Sequence, residues 1–388
     1  TNISFPGTPW TWGHYITDDI TATQHANFGQ GDPDGENNFT DSNGRGGFRF
    51  EPPQGFLSWC TANMKDNDYA PIGPNSAAGT PDKHFDTVLY SGTNMTASND
   101  PEVSSRRISG LNFQPDLVLI KNRDTTDGWS LQDSVRGWGY ATKLSPYDNS
   151  LENDSGGGSY GNYGFVSGAF DGGFEICPGT SPGQVDGPTS EEFVAWCWKA
   201  GNETTINNDG THQTTVSVNK DAGFSISTYT GNVSGTSVQE TIGHGLDETP
   251  EFVIVKDLTN VTNWRVYHKG LAATGATATA NSLFLNTTDA QTGAAARIAD
   301  VNATTITLGG GTDDGGGVIG NGRRHVAYAW HSVEGYSKFG SYEANSNADG
   351  PFVYLGFKPA WVMIKSIDGA HNWWLLDNKR NPHNPTDR

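Results

Sequence analysis

The chain has 388 residues, more than one ordinary hydrophobic core serves, so several domains are expected. Hydrophobic residues make up only 34%, yet 12 Trp, 13 Tyr and 18 Phe are present, which excludes a disordered chain and fits small β-domains whose thin cores are filled by rings. Twenty-four basic against 43 acidic residues give a formal charge of −19, which repels phosphate backbones and excludes a nucleic-acid partner, and no apolar run is long enough to span a membrane as a helix.

In chain order, residues 1–66 read as the end of a β-domain that closes on the strand FLSWCT, Phe56 to Thr61. Within it GDPDGENNFTDSNG gathers Asp32, Asp34, Asn37, Asn38 and Asp41. Oxygen ligands at such spacing, with Gly to fold the loop, suit calcium, although the EF-hand spacing is not met. The bland alternative is an Asx-rich hairpin turn. Residues 67–83 are rich in Pro, Gly and Ala and read as a linker. Residues 84–202 form a first full repeat, 203–222 a second linker, 223–335 a second repeat, and 336–388 an incomplete third.

The repeats rest on three gap-free alignments. LNFQPDLVLIK (Leu111 to Lys121), LDETPEFVIVK (Leu246 to Lys256) and LGFKPAWVMIK (Leu355 to Lys365) share Leu, Pro, Val and Lys at fixed spacing. Eight residues beyond each Lys stands a Trp: Trp129, Trp264 and Trp373. β-Branched and aromatic runs opened by Pro, followed by polar turn residues and a Trp, predict a hairpin. Each Lys is expected at the strand end, facing solvent. A closing strand recurs as FLSWCT, FVAWCW (Phe193 to Trp198) and HVAYAW (His325 to Trp330), with Trp59, Trp196 and Tyr328 equivalent and buried. An opening strand recurs as Phe85 to Tyr90 and Phe224 to Tyr229; in the third copy Tyr342 is kept and the Phe moves to 339. One short helix is conceivable near Ala294 to Ala299. The expected class is all-β: serial β-sandwich domains of the jelly-roll kind, joined by short Gly/Pro/Asn-rich linkers.

These strings, together with YTGN, GHGL and WWLLDNKRNPHNP, resemble a repeated β-domain of uncharacterised function in structural, tail-associated proteins of marine tailed phages such as cyanophages. GFRFEPPQGFLSWCTANM resembles the junction that follows a SPRY, lectin-like domain in such proteins. The first repeat departs in having YSGT and SGLN. The resemblance implies a location in the virion, on a tail fibre or other exposed appendage, and partners among other virion proteins and copies of the chain, a trimer on the tail's symmetry. It supplies no catalytic residues.

Chemistry-bearing motifs are sparse. A Gly-x-Ser-x-Gly string around Ser159 lies in a glycine loop, not between a strand and a helix, so no hydrolase is inferred. No HExxH, P-loop or CxxC is present, and the ten His are dispersed. Cys60, Cys177 and Cys197 are too few and odd in number for a disulfide framework and are expected as buried thiols. The expectation is a non-enzymatic protein without cofactor, calcium apart. The alternatives are an adhesin for a host-surface glycan, stacking sugars on Trp138, Tyr140, Tyr160 and Tyr163, or a head-decoration protein. A polysaccharide depolymerase and a non-phage extracellular appendage stand below these.

Overall fold

A computed structural model describes residues 39–48, 51–52, 72–73, 76–152, 160–232, 239–271, 281–292, 298–309, 318–347 and 350–380. The chain divides into two compact units, Thr1–Asp66 and Asn67–Arg388. In the first, Phe39 and Phe48 face each other in an antiparallel bridge. The turn between them is held by buried Asp41, whose Oδ1 accepts the backbone N–H of Asn43 and of Arg45 at 2.9 Å. Gly44 takes φ +70°, as such a turn requires.

The second unit is all-β; its only helical pieces among the described residues are short 3-10 turns. The first repeat is a two-sheet sandwich. Its main sheet has the order β1-β7-β3-β4, with β1 Phe85–Ser91, β3 Leu117–Asn122, β4 Ser130–Asp133 and β7 Glu192–Trp198. Its cover sheet is β2-β6-β5, with β2 Arg106–Ser109, β5 Phe165–Phe170 and β6 Gly173–Cys177. The second repeat has the same plan: β10 (Phe224–Thr230), β17 (Arg324–Trp330), β12 (Phe252–Asp257) and β13 (Arg265–His268) take the places of β1, β7, β3 and β4. Its cover sheet is β11 (Gln239–Gly243), β16 (Thr305–Gly309) and β15 (Ile298–Val301). Registers agree residue for residue: Phe85 and Leu117 both face Trp198, and Phe224 and Phe252 both face Trp330. Tyr90 and Tyr229 each donate to a backbone carbonyl, of Val185 and Val318. The third repeat supplies one hairpin, β18 (Trp361–Ile364) with β19 (Trp374–Asp377).

Residues 203–222, expected as a linker, instead contribute β8 (Thr205–Asn207) and β9 (Thr214–Asn219), which extend the second main sheet beyond β10. The short β14 (Leu283–Phe284) extends it beyond β13. The Thr and Val alternation of TTVSVN serves a strand once a free edge stands beside it.

Each main sheet is buried on both faces. In the first repeat Val88, Tyr90, Val118, Ile120, Phe193 and Ala195 pack against Ile108, Val166, Phe174 and Ile176 of the cover sheet. The other face joins a second cluster that draws Leu117 and Leu131 from the first repeat, Phe224, Phe252, Trp264 and Tyr328 from the second, and Met363 and Trp373 from the third. The three repeats therefore share one core rather than standing as separate beads. Cys177 and Cys197 are free and buried, as expected; Cys60 and Trp59 lie outside the described residues, as do residues 293–297 of the suggested helix.

Candidate functional site at the junction of the repeats

The recurring residues converge where the repeats meet, and the contacts run in a ring. Phe85 of the first repeat lies 5.9 Å from the Trp361 ring of the third. Phe339 of the third stacks on Phe252 of the second at 5.7 Å. Phe224 of the second shares the common core with Leu117 of the first. Phe339 thus takes the place of Phe85 and Phe224, while Tyr342 is 52% exposed and does not take the place of the buried Tyr90. The shortened spacing moves the Tyr, not the Phe.

The closing strands follow the same ring. Tyr328 of β17 donates its hydroxyl to Asp133 Oδ2 of the first repeat at 2.6 Å. Trp196 of β7 donates Nε1 to Asp377 Oδ2 of the third at 3.1 Å. Each of these carboxylates is buried and paired with an arginine three residues on, Arg136 or Arg380, at 2.6 Å. The Arg380 guanidinium also lies 5.0 Å from the Trp196 ring. In a low-dielectric site such charge-assisted bonds fix which aromatic sits where. Burial and the Asp133 charge hold the Tyr328 hydroxyl far above the usual phenol range, so it stays a donor. Glu152 completes the first of these junctions, bonding Arg136 of its own repeat at 2.9 Å and Arg324 of the second.

The Lys and Trp of the second and third hairpins form a clasp that runs the same way round the ring. Lys256 Nζ donates to Thr262 O at 2.8 Å and to Asn149 O of the first repeat at 3.2 Å, while Trp264 Nε1 donates to Asp148 O at 3.1 Å. In the third repeat Lys365 Nζ donates to Thr288 O at 3.2 Å and Trp373 Nε1 to Phe284 O at 2.9 Å, both in the second. The expectation that these lysines face solvent is corrected for Lys256, which is fully buried and whose pKa burial pushes down to about 8, while Lys121 and Lys365 are half-buried. An ammonium with three donors satisfies loop carbonyls that would otherwise be buried unpaired. In the first repeat Lys121 bonds only carbonyls of its own turn, Asn122 O and Thr125 O, and Trp129 stacks on Trp196 at 5.5 Å.

A groove of about 2250 Å³ opens at this junction, lined by Leu119 and Trp129, Ile254 and Trp330, and Trp361 and Met363 among others. The aromatics considered for glycan stacking lie elsewhere. Trp138 packs against the first sandwich core. Tyr140 packs edge-on to Phe165 at 5.9 Å and bonds Asn162. Tyr163 is 41% exposed, and the side chain of Tyr160 lies outside the described residues. Of the calcium candidates, Asp41 spends its carboxylate on the hairpin turn; Asp32, Asp34, Asn37 and Asn38 lie outside the described residues, as does Ser159. Among the described residues no group of three His, Cys, Asp or Glu is placed to hold a metal ion. The Asp-x-x-Arg pair was open to detection: DSVR and DNKR stand at the same distance after Trp129 and Trp373, and only their burial marks them as functional.

Fold and junction define a class: an all-β protein of repeated antiparallel sandwiches welded by recurring aromatic and charged contacts. Over residues 80–388 the chain matches the family described as a domain of unknown function, DUF7483, and it belongs to that family. No curated protein and no solved structure matches it.

Proposed function

We propose that the chain is a non-enzymatic structural protein of a tailed-phage particle, part of a tail fibre or other exposed appendage. The observation that supports this reading best is where the recurring chemistry goes. The Lys and Trp of the second and third hairpins, the closing-strand aromatics Trp196 and Tyr328 and the Asp-Arg pairs that seat them are spent on joining one repeat to the next. None is left converging on a solvent-open pocket with a perturbed acid or base beside a nucleophile, as an enzyme site requires. The resemblance of the hairpin and closing-strand strings to tail-associated proteins adds the particle, and that of residues 47–64 adds a preceding SPRY, lectin-like domain. Partners on this reading are other virion proteins and further copies of the chain. Labelling intact particles with an antibody to residues 84–335 tests it. Label on an appendage supports the reading; particles free of the protein would remove it.

The adhesin alternative retains one specific observation, the exposed ring of Tyr163 beside Tyr140 and Asn162. With a charge of −19, capture of an anionic envelope must rest on stacking and hydrogen bonds, and screening should leave binding unchanged or stronger as monovalent salt rises. Glycan-array binding that survives Tyr163→Ala, or that collapses with salt, would sink this version.

A further inference from the structure

The first sandwich buries a lysine that the shared plan of the repeats does not need. Leu144 pairs with Leu131 of β4 through backbone bonds of 2.9 and 3.0 Å, and both leucines belong to the core between the repeats. Lys143, the neighbouring residue, therefore points the opposite way, into the sandwich, where it is fully buried. There its Nζ donates to Oε1 of Gln184, which is buried as well. In the second repeat Leu283 pairs with Val266 in the same manner, and the place of Lys143 is taken by Ser282. The fold thus forms without an ammonium here, and burying one is costly. The carboxamide is held in place. Gly183 O accepts Asn122 Nδ2 at 2.9 Å, Val185 O accepts the Tyr90 hydroxyl at 2.8 Å, and Gln184 N–H donates to Tyr163 O at 3.0 Å. At the other end of the side chain, Gln184 Nε2 donates to the Tyr147 hydroxyl at 3.5 Å, and Tyr147 is 38% exposed. Burial holds the Lys143 ammonium well below its ordinary range, and the Asp148 charge offsets only part of that, which favours the free amine.

We propose that the folded chain joins Lys143 to Gln184 by an isopeptide bond, with no other protein taking part. The lone pair of Nζ forms a bond to Cδ of Gln184, and the C=O electron pair moves onto Oε1. Its return breaks the bond from Cδ to Nε2. The Tyr147 hydroxyl, bonded to Nε2, protonates that nitrogen as it leaves as ammonia, and the proton shed by Nζ restores the hydroxyl. One C–N bond forms and one breaks, and nothing is oxidised or reduced. An amine and an acyl carbon fixed in contact in a dry site react as if at very high concentration, which is what the pinned loop supplies. The exposed flank of Tyr147 gives the ammonia a way out. The bond closes residues 144–183, with β5 and β6, into a covalent loop that neither unfolding nor pulling can extend. Once linked, Lys143 no longer titrates.

Intact-mass spectrometry of the full 388-residue chain should find it lighter than its sequence by one ammonia. A succinimide at Asn43-Gly44 or Asn321-Gly322 would give the same loss, so digestion decides between them. It should release a branched peptide joining Lys143 to Gln184, with trypsin no longer cutting after Lys143. Lys143→Met, which suits a buried site, and Gln184→Met should each restore the sequence mass. Tyr147→Phe should slow the appearance of the link in freshly synthesised chain by roughly 100-fold, as loss of a general acid does. Three results would each overturn the proposal. The first is a folded chain at its full sequence mass. The second is a branched peptide with other partners. The third is an ammonia loss that persists in Lys143→Met. An unchanged rate in Tyr147→Phe would overturn the part given to its hydroxyl. The outcome is independent of whether the chain belongs to a phage particle.

Discussion

Trp196 shows how one side chain can hold both a sheet and a junction. It is fully buried, stacks on Trp129, and spends its only polar group on Asp377 of another repeat. Trp196→Ala should cost about 3–5 kcal/mol, as large core truncations do. Trp196→Phe keeps most of the ring but strands a buried carboxylate lone pair, and should cost about 1.5–3 kcal/mol, the range for bonds to charged groups. Denaturant titration of the two variants separates packing from the hydrogen bond; equal losses would refute the bond's role. Lys256 gives a pH signature. Its pKa falls from the ordinary 10.5 to about 8. Between these values the unfolded chain holds a proton that the folded chain has released, so stability should rise with pH across that window. Lys121 and Lys365 shift in the same direction, and burial pushes the ammonium of Lys143 down further. Above pH 10 buried Tyr90, Tyr229 and Tyr328, whose ionisation burial suppresses, act oppositely, because the unfolded phenols lose protons that the folded ones keep. Stability measured by urea titration should therefore climb between pH 8 and 10 and fall beyond 10. Lys256→Met should reduce the climb, the remainder belonging to the other shifted lysines, and leave the fall; a climb undiminished in the variant would assign it elsewhere.

At the scale of elements, the three hairpins, the closing strands at Phe193 to Trp198 and His325 to Trp330 and the opening strands at Phe85 to Tyr90 and Phe224 to Tyr229 stand where pattern and Pro placement put them, because strand period and turn chemistry are local properties, whereas the third opening segment at Phe339 to Tyr342 forms no strand. What the strands do at their ends is not local. A lysine after an apolar run ordinarily faces water, and Lys256 departs from that because Asn149 and Thr262 arrive from elsewhere with carbonyls to satisfy. Asp133 and Tyr328 are 195 residues apart in sequence, so neither predicts the other. A double-mutant cycle of Asp133→Asn and Tyr328→Phe should give a coupling of about 0.5–3 kcal/mol, as contacting groups in one network do. Strict additivity would mean that the two repeats do not meet through this pair. The linker expectation for 203–222 missed β8 and β9 because the segment is polar; it pairs since β10 offers an edge, not because its own residues demand a sheet.

For the whole molecule, the shared core changes how the protein should unfold. Separate sandwiches would melt independently, each with its own transition. Repeats that bury Phe224, Leu117 and Trp373 in one cluster should melt together. Calorimetry of residues 67–388 is expected to show one dominant transition. Removing residues 336–388 should then destabilise the first repeat, although it is distant in sequence, by uncovering Trp198 and depriving Trp196 of Asp377. Several well-separated transitions, or a first repeat indifferent to that truncation, would contradict a common core.

Amino-acid order alone determined the all-β class, the repeat, the hairpin and closing strands, and the burial of Trp196 and Tyr328, since each follows from period, turn residues and hydrophobicity within a few residues of chain. It did not determine that the main sheets are covered on both faces. Alternating strands look alike whether their second face meets water or a neighbouring repeat. Only the tertiary structure decided that the repeats close round one another. The energy that decides it, burial of rings such as Phe85, Phe339 and Trp361 and pairing of Asp133 and Asp377 with distant donors, comes from contacts between residues that no local pattern links.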